Sequence, residues 1–250
     1  MMRKIKVNII FKPGIPSARK KGGGDQTACK MLYSALQKRD DVEVYYNANL
    51  KDGPFDIIHF HSLGNSFFKF LKTHENIIIT AHVIPDTMIG SAILAERWKN
   101  IFTQYLLLFY NSAKIVIAVS PSEKAKLEEM GVTSKVIYIP NGIDTEKFRV
   151  DLKVRKMMRE LYNIKENEIV IICSGHTIKR KGFDSFVKVA KSLPQYKFFW
   201  IGGIPFSFLS SGYSEVKRVQ ASPPPNLFLP GPQPHEEIYK FYNMADIFFF

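Results

Sequence analysis

The stretch KIVIAVSPSEKAKLEEMGVTSKVIYI, residues 114–139, decides the fold class. It begins and ends with apolar runs, Lys114–Val119 and Val136–Ile139, whose Ile and Val content is typical of strands buried on both faces. Between them, Ser120-Pro121-Ser122-Glu123 has the pattern of a capping box with Pro at the first helical position, which predicts a helix start. A strand, a helix and a strand in this order predict a parallel pair joined by a right-handed crossover.

The same alternation continues on both sides of this stretch. Further apolar runs with strand composition are Lys4–Phe11, Phe55–Phe60, Asn76–Ala81, Glu168–Ser174, Tyr196–Ile201 and Asn226–Leu229. Apolar residues at helical spacing between them are Ala28, Leu32, Ala35 and Leu36, then Phe183, Phe186, Val187 and Ala190, and a last helix is predicted over His235–Met244. We therefore expect an α/β fold with two doubly wound parallel sheets.

A domain boundary is predicted near residue 150, where the charged stretch Asp151–Glu160 contains no apolar run. The predicted domains are residues 1–148 and 149–250. The second has few strands, and Ala245–Phe250 has the composition of a strand that is just beginning. Three phenylalanines on a terminal strand are an aggregation hazard unless more chain covers them, so we expect a longer protein whose second domain is incomplete here.

Composition excludes several classes of protein. A hydrophobic fraction of 46% is too high for a disordered chain, and two cysteines cannot hold 250 residues together as a disulfide scaffold. The apolar runs are much shorter than the roughly 20 residues that a membrane span needs. A net charge of +12 indicates anionic partners, which could be nucleic acid, a phosphorylated ligand or an acidic membrane.

Two loops between a strand and a helix have the composition of anion sites. Gly22, Gly23 and Gly24 precede the first helix, where backbone N–H groups can approach an anion, although a flexible connecting loop fits equally well. The second loop runs from Gly175 to Gly182 and contains Lys179-Arg180-Lys181. It follows a strand at the sheet edge where ligands bind, and it suits a diphosphate, with a solvated charged turn as the alternative.

Histidines end two neighbouring strands of the first sheet. His59 and His61 lie on one face of their strand because side chains alternate, and His82 follows the next strand at the ligand-facing edge. A structural role is the alternative for each histidine. No Cys or carboxylate stands at metal-ligand spacing from them, so we expect no metal.

A predicted helix over residues 93–110 carries an aromatic stripe. Its apolar members are Leu94, Trp98, Ile101, Phe102, Tyr105, Leu106, Leu108 and Phe109. Such a helix either lies in a membrane interface or faces the core. Its candidates for membrane contact are Trp98, Phe102, Tyr105 and Phe109, with Phe206, Phe208 and Leu209 as a weaker second set.

The segment VIYIPNGIDTEKF, residues 136–148, resembles the interdomain signature of family 4 glycosyltransferases, which have the GT-B fold. Other segments that resemble family motifs, in the same order, are Asp56–His61, Val119–Ser122, Gly175–Gly182, Asn226–Gly231 and Glu237–Asp246. Within the family, Pro85–Ser91 and Thr177–Gly182 look most like bacterial enzymes that glucosylate diacylglycerol, of the 1,2-diacylglycerol 3-glucosyltransferase kind.

The resemblance implies two Rossmann-like domains and a retaining transfer of a sugar, glucose here, from a UDP-sugar to a membrane lipid such as diacylglycerol, without a metal. It places Gly175, Arg180 and Lys181 on the donor diphosphate, and Gly22, Gly23 and Gly24 beside donor and acceptor. It places His82 at the reacting sugar and His61 and Asp86 towards the acceptor. It further implies a cytoplasmic protein held peripherally on the anionic inner face of the cell membrane.

Two departures from the family pattern affect the expected activity. His176 stands where the family has Arg, a loss for which Arg180 can compensate, and the acidic donor-binding E-x7-E motif would lie beyond Phe250. We therefore expect this chain alone to be inactive. The alternatives are a non-catalytic GT-B partner subunit and a glycosyltransferase that acts on a polysaccharide or a protein. Nucleic-acid binding has only the net charge in its favour, and no oligomeric state is predicted.

Overall fold

The computed structural model describes residues 3–12, 23–64, 67–71, 73–88, 95–205 and 207–249. They form two compact units, one from residues 3–88 and 96–143 and the other from residues 144–249. Each unit is built around one parallel sheet. Within the described ranges, no helix is both long and apolar enough to cross a bilayer.

The first unit contains a six-stranded sheet with strand order β2-β1-β3-β4-β5-β6. Its strands are β1 (Ile5–Ile10), β2 (Val42–Tyr46), β3 (Ile57–Phe60), β4 (Ile77–Ala81), β5 (Ile115–Ala118) and β6 (Lys135–Tyr138). Its helices are α1 (Gly24–Leu36), α2 (Phe67–Leu71), α3 (Pro85–Met88), α4 (Ala95–Asn111) and α5 (Pro121–Glu129). All strand pairs are parallel, as the strand–helix alternation predicts.

The predicted helix start at Ser120 is confirmed. The Ser120 hydroxyl accepts a hydrogen bond from the Glu123 backbone N–H at 3.0 Å, and Pro121 is the first residue of α5. The Glu123 carboxylate reaches back to the Val119 backbone N–H at 2.8 Å. Two backbone donors at this helix end are therefore paired, which fixes the direction in which the chain leaves β5.

Strand β2 was not predicted from the sequence. Its five residues are all half-buried, and it lies at the edge of the sheet, where Val42 pairs with Ile5 of β1. An edge strand has one neighbour and a partly solvated face, so its sequence lacks the continuous Ile and Val content that marked the buried strands.

The second unit has a four-stranded parallel sheet with strand order β10-β7-β8-β9. Its strands are β7 (Val170–Ser174), β8 (Lys197–Ile201), β9 (Leu227–Gly231) and β10 (Ile247–Phe248). Its helices are α6 (Leu152–Leu161), α7 (Phe183–Ser192), α8 (Tyr213–Ala221) and α9 (His235–Met244). The ring of Phe249 lies 5.6 Å from that of Phe186, so this phenylalanine of the last predicted strand is partly covered and not fully exposed as the sequence suggested.

The charged stretch Asp151–Glu160, for which no helix was predicted, contains most of helix α6. The Asp151 carboxylate caps the helix by accepting from the backbone N–H groups of Lys153 and Val154. Val154 and Met158, four residues apart, pack into the core, while the charged side chains between them mostly face solvent. The helix was not predicted because it has only one core-facing apolar residue per turn among many charged residues.

One charged side chain of α6 is buried. Arg159 is 2% exposed, and its guanidinium donates to the carbonyls of Lys165 and Glu168 at 2.6 Å each and to that of Met244 at 3.2 Å. It also lies 3.4 Å from the Asp246 carboxylate. Arg159 therefore joins α6 to the turn before β7 and to the end of α9.

Candidate active-site regions

Three histidine rings form a row at the carboxyl edge of the first sheet. The ring centroids of His59 and His61 are 4.3 Å apart, and those of His61 and His82 are 5.4 Å apart. His59 Nε2 is 2.8 Å from the Thr80 hydroxyl, and His61 Nδ1 is 3.2 Å from His82 Nε2. Neighbouring strands β3 and β4 thus bring together the residues that the sequence placed at their ends.

The two histidines of β3 are closed off from solvent. His59 is 7% exposed and His61 is 3% exposed, whereas His82 is half-buried. Burial, with the neighbouring histidine rings, lowers the pKa of His59 to about 3 and that of His61 to about 2. Both are therefore neutral at physiological pH. The placement of His61 on the acceptor side stays a prediction; its ring is covered and its Nδ1 is paired with His82.

Asp86, the other residue expected on the acceptor side, is the centre of an ion cluster. Its carboxylate lies 3.1 Å from the Lys126 ammonium and 3.4 Å from the Lys99 ammonium. These cations, with Lys126 first, hold the pKa of Asp86 below its usual range. Asp86 therefore links α3 to α4 and α5, and half of its side chain remains exposed.

Helix α4 divides the predicted aromatic stripe between core and surface. Phe109 is 2% exposed and belongs to the core, so its predicted membrane contact is wrong, and Phe102 and Tyr105 are half-buried against the same core. Trp98 is exposed, as the prediction requires. The exposed apolar side chains of α4 are Trp98, Ile101 and Leu108, each more than 60% exposed.

The first glycine loop is only partly described. Gly22 lies outside the described residues, Gly23 is the extended residue before α1, and Gly24 is its first residue. The Asp25 carboxylate accepts from the Gln26 backbone N–H at 3.0 Å. This helix start therefore already carries a negative charge close to its N–H groups.

In the second unit, glycines close the carboxyl ends of β7 and β8 against one another. The Gly175 backbone N–H donates to the Ile201 carbonyl at 2.9 Å. A Cβ atom on Gly202 would lie 1.8 Å from the Gly175 carbonyl oxygen, which no side chain can tolerate. The strand ends thus leave an edge of bare backbone, where a ligand can approach the chain closely.

Trp200 holds the Gly175 end of this edge in place, a role that was not predicted from the sequence. The indole N–H donates to the Gly175 carbonyl at 3.0 Å, and the ring packs edge-on against Phe183 at 5.1 Å and Phe186 at 5.3 Å. A buried Trp needs an acceptor for its N–H. The position of Trp200 close before Gly202-Gly203 was therefore the one feature of the sequence that could have indicated a bond to the backbone at this edge.

The basic loop forms a turn at the start of α7. Lys179, Arg180 and Lys181 make one turn of 3-10 helix and are all exposed. Gly182, with a φ of 76°, is the residue before α7. Lys181 lies close enough to Cys173 at the end of β7 to oppose the rise of its thiol pKa, which burial raises to about 11. Three cations, a helix N-terminus and bare backbone therefore occur at one sheet edge.

Thr177, in the same loop, was not singled out from the sequence. It is 3% exposed, its backbone N–H donates to the Gly203 carbonyl at 3.1 Å, and its hydroxyl has no hydrogen-bond partner among the described atoms. Nothing in the sequence distinguishes it from a solvated loop threonine. Within the described ranges, no three His, Cys, Asp or Glu side chains are placed so that they could hold a metal ion.

Two family models match the chain in sequence. The model described as Glycosyltransferase Family 4 matches residues 23–147, and the model described as Glycosyl transferases group 1 matches residues 154–250. The alpha-galactosylglucosyldiacylglycerol synthase of Streptococcus pneumoniae is 28% identical over 98% of this chain. The processive diacylglycerol alpha-glucosyltransferase of Acholeplasma laidlawii is 28% identical over 88% of it. Both alignments span 66% of the length of the relative.

Solved structures share the fold. Sucrose-phosphate synthase from Thermosynechococcus elongatus superposes with a TM-score of 0.76 at 17% identity, over 98% of this chain and 75% of that one. Anabaena HepE in complex with UDP-glucose gives a TM-score of 0.69 at 16% identity, over 98% and 73%. The expected α/β fold with GT-B-like parallel sheets is therefore confirmed. Because one family model alone matches half of the chain, and a second glycosyltransferase model follows it, the chain belongs to glycosyltransferase family 4.

Proposed function

We propose that the protein containing this chain transfers glucose from UDP-glucose to a diacylglycerol-type lipid, with retention of the anomeric configuration, at the cytoplasmic face of a membrane. The activity is proposed for the whole protein, because the chain spans 66% of the length of its two diacylglycerol-related relatives. The names of those relatives support the lipid acceptor, and the second of them also supports glucose.

The single observation that carries the proposal is the loop between β7 and α7. The reaction breaks the bond between the sugar and a diphosphate, so negative charge develops on the leaving group. Arg180 and Lys181, exposed on one turn beside the bare backbone of Gly175, can offset that charge. Preorganised charge of this kind is the largest help an enzyme can give to such a leaving group.

The proposal assigns His82 to the reacting sugar. Its ring is half-buried at a strand end and is hydrogen-bonded to His61, which fixes the orientation of the ring towards a bound sugar. Since the cations of the loop supply the positive charge, the proposal includes no metal ion. Transfer that survives excess EDTA would agree with this part, and transfer abolished by EDTA would contradict it.

Membrane attachment is proposed through the exposed face of α4. Trp98, Ile101 and Leu108 present apolar side chains to solvent, and the exposed cation Arg97 precedes Trp98 in the chain. The net charge of +12 adds attraction to anionic lipid, about 1 kcal/mol for each basic residue near the surface.

Nucleotide binding tests the donor site directly. We expect UDP to bind the purified protein in titration calorimetry, and Lys181→Ala to weaken it roughly tenfold or more, the loss expected for one charge-assisted phosphate contact. Lys191→Ala, an exposed lysine in the last turn of α7, is the matched control and should bind as the wild type does. Equal affinities for the two variants would remove the basic loop from the donor site.

Product analysis tests the reaction and separates it from the alternatives. The intact protein, incubated with UDP-glucose and diacylglycerol, should yield a glucosyl lipid that mass spectrometry detects. The anomeric proton coupling of that product, measured by NMR, should match the anomeric configuration of the donor. An inverted product would contradict retention, and glucose found only on a polysaccharide or a protein would change the acceptor. UDP binding without transfer to any acceptor would favour a non-catalytic partner subunit.

Vesicle sedimentation tests the membrane face. The double variant Ile101→Ser/Leu108→Ser should bind anionic vesicles at least tenfold more weakly, because each buried apolar side chain contributes about 1.5 kcal/mol or more. The control Val150→Ser/Leu152→Ser removes two apolar side chains from the second unit that are even more exposed. Equal loss in both variants, or equal binding of the wild type to neutral and anionic vesicles, would argue against this attachment.

A further inference from the structure

The row of three histidines in the first unit leads from two buried rings, His59 and His61, to the half-buried ring of His82. At its inner end, His59 is held by the hydroxyl of Thr80 at 2.8 Å, and at its outer end His61 Nδ1 meets His82 Nε2 at 3.2 Å. His61, in the middle, is 3% exposed, so it cannot touch a substrate. Any effect of His61 on a reaction must therefore pass through His82.

The hydrogen bond between His61 and His82 needs one proton, and either ring can supply it. If His82 supplied it from Nε2, the single proton of the neutral His61 would have to sit on Nε2. That atom is buried and has no hydrogen-bond partner among the described residues. A buried N–H without an acceptor is rare, because the donor has lost its water and gained no partner.

The other arrangement leaves no N–H unpaired at this atom. The His61 proton then lies on Nδ1 and points to His82 Nε2, which accepts it, so the proton of His82 must lie on Nδ1. Only a lone pair is left at His61 Nε2, and an unpaired buried acceptor is tolerated more often than an unpaired donor.

We propose that His61 is a positioning residue that holds His82 in the Nδ1–H tautomer. The inference deepens the proposed function and rests on it, because His82 is there assigned to the reacting sugar. In this tautomer the proton of His82 lies on Nδ1, and its Nε2 accepts from His61. Its role towards the sugar is then that of a donor and not of a general base.

Nitrogen NMR of the purified protein with ¹⁵N-labelled histidine tests the inference without any sugar transfer. At pH 7.5, the His82 signals should show a protonated Nδ1 and an unprotonated Nε2. His61→Phe keeps a planar ring but removes both nitrogens, and should release His82 into a mixture of tautomers. His61→Asn keeps a side-chain N–H near the position of Nδ1 and should restore the wild-type pattern.

The control is Thr80→Val, which removes the partner of His59 but leaves the His61–His82 pair in place and should preserve the His82 tautomer. A protonated Nε2 in wild-type His82 would overturn the inference, and so would a pattern that His61→Phe leaves unchanged. The wild-type spectrum decides the tautomer by itself, so a variant that fails to fold does not remove the test.

Kinetics separate this inference from the proposed function. In the intact protein, His61→Phe should lower kcat at least tenfold with a smaller change in KM, and His61→Asn should recover most of kcat. If the tautomer pattern holds but no sugar is transferred, the proposed function fails and the arrangement of the histidines stands. If transfer occurs and His61→Phe leaves kcat unchanged, the positioning role fails and the proposed function stands.

Discussion

Replacing Gly202 by Ala should separate the carboxyl ends of β7 and β8. The new Cβ would start 1.8 Å from the Gly175 carbonyl oxygen, whereas real Cβ atoms do not come closer than 3.0 Å, so the two backbones must move apart by more than 1 Å. That movement breaks or lengthens two hydrogen bonds of Gly175, from its N–H to Ile201 and from the Trp200 indole to its carbonyl.

The magnitude follows from two contributions. The φ of 149° at Gly202 costs an Ala side chain about 2 kcal/mol, and the two hydrogen bonds contribute about 1 kcal/mol each, which together make about 4 kcal/mol. Gly175→Ala is the matched control, because Gly175 has nearly the same φ, 151°, and nothing lies within 4 Å of its added Cβ. It should cost about 2 kcal/mol, and Gly142→Ala, which is open and unstrained, almost nothing.

Urea unfolding followed by tryptophan fluorescence measures the difference. The chain has two tryptophans, so a Trp98→Phe background leaves Trp200 as the only reporter, and Trp200 lies inside the second unit. With an m-value of about 2 kcal/mol per M, the midpoint of Gly202→Ala should fall about 1 M below that of Gly175→Ala. Equal midpoints for these two variants would refute the close approach of the strands.

Three further predictions concern buried polar groups. His59 and His61 have pKa values of about 3 and 2, so below pH 6.5 the unfolded state binds protons that the folded state does not. The free energy of unfolding should therefore fall from pH 7 to pH 5 by about 2 kcal/mol per histidine. In urea unfolding followed by circular dichroism, His59→Asn should remove about half of that pH dependence. Arg159→Met leaves several carbonyls unpaired and should cost about 3–5 kcal/mol in the single-tryptophan background, against less than about 0.5 for the exposed control Lys156→Met. Asn226→Asp turns an amide that donates to three backbone carbonyls into a carboxylate that repels them, and should cost about 3 kcal/mol or more at pH 7 and less at pH 3.

Each of these has a result that contradicts it. An unchanged pH slope in His59→Asn would mean that this histidine takes up a proton while the protein stays folded. Similar losses for Arg159→Met and Lys156→Met would mean that the guanidinium contacts contribute nothing net. A pH-independent deficit in Asn226→Asp would assign the loss to packing and not to charge.

The parts of the fold that the sequence predicted are those that local pattern controls. Continuous Ile and Val runs marked the central strands because such strands are buried on both faces. The start of α5 was visible because Ser120 and Glu123 act within four residues of one another. Strand-end placement alone brought His59, His61 and His82 to one edge, because parallel strands end on the same side of a sheet.

The parts that the sequence did not predict depend on contacts between distant residues. Trp200 and Gly175 meet only once β7 and β8 are in register. Alternation put His61 beside His59 but could not say that this face would be covered, and the same limit applies to Phe109 on α4. Arg159 was visible only as part of a charged stretch, because two of the partners that bury it, Met244 and Asp246, follow 85 and 87 residues later.

The contacts of α6 set an order of events during synthesis of the protein. Arg159 pairs with Met244 and Asp246, which follow it by 85 and 87 residues. At about 5–20 residues per second, a ribosome needs roughly 4–17 s to make that interval. Throughout that time the guanidinium lacks these final partners, while every residue of the first unit has already been made. The first unit can therefore fold on the ribosome before α6 meets Met244 and Asp246.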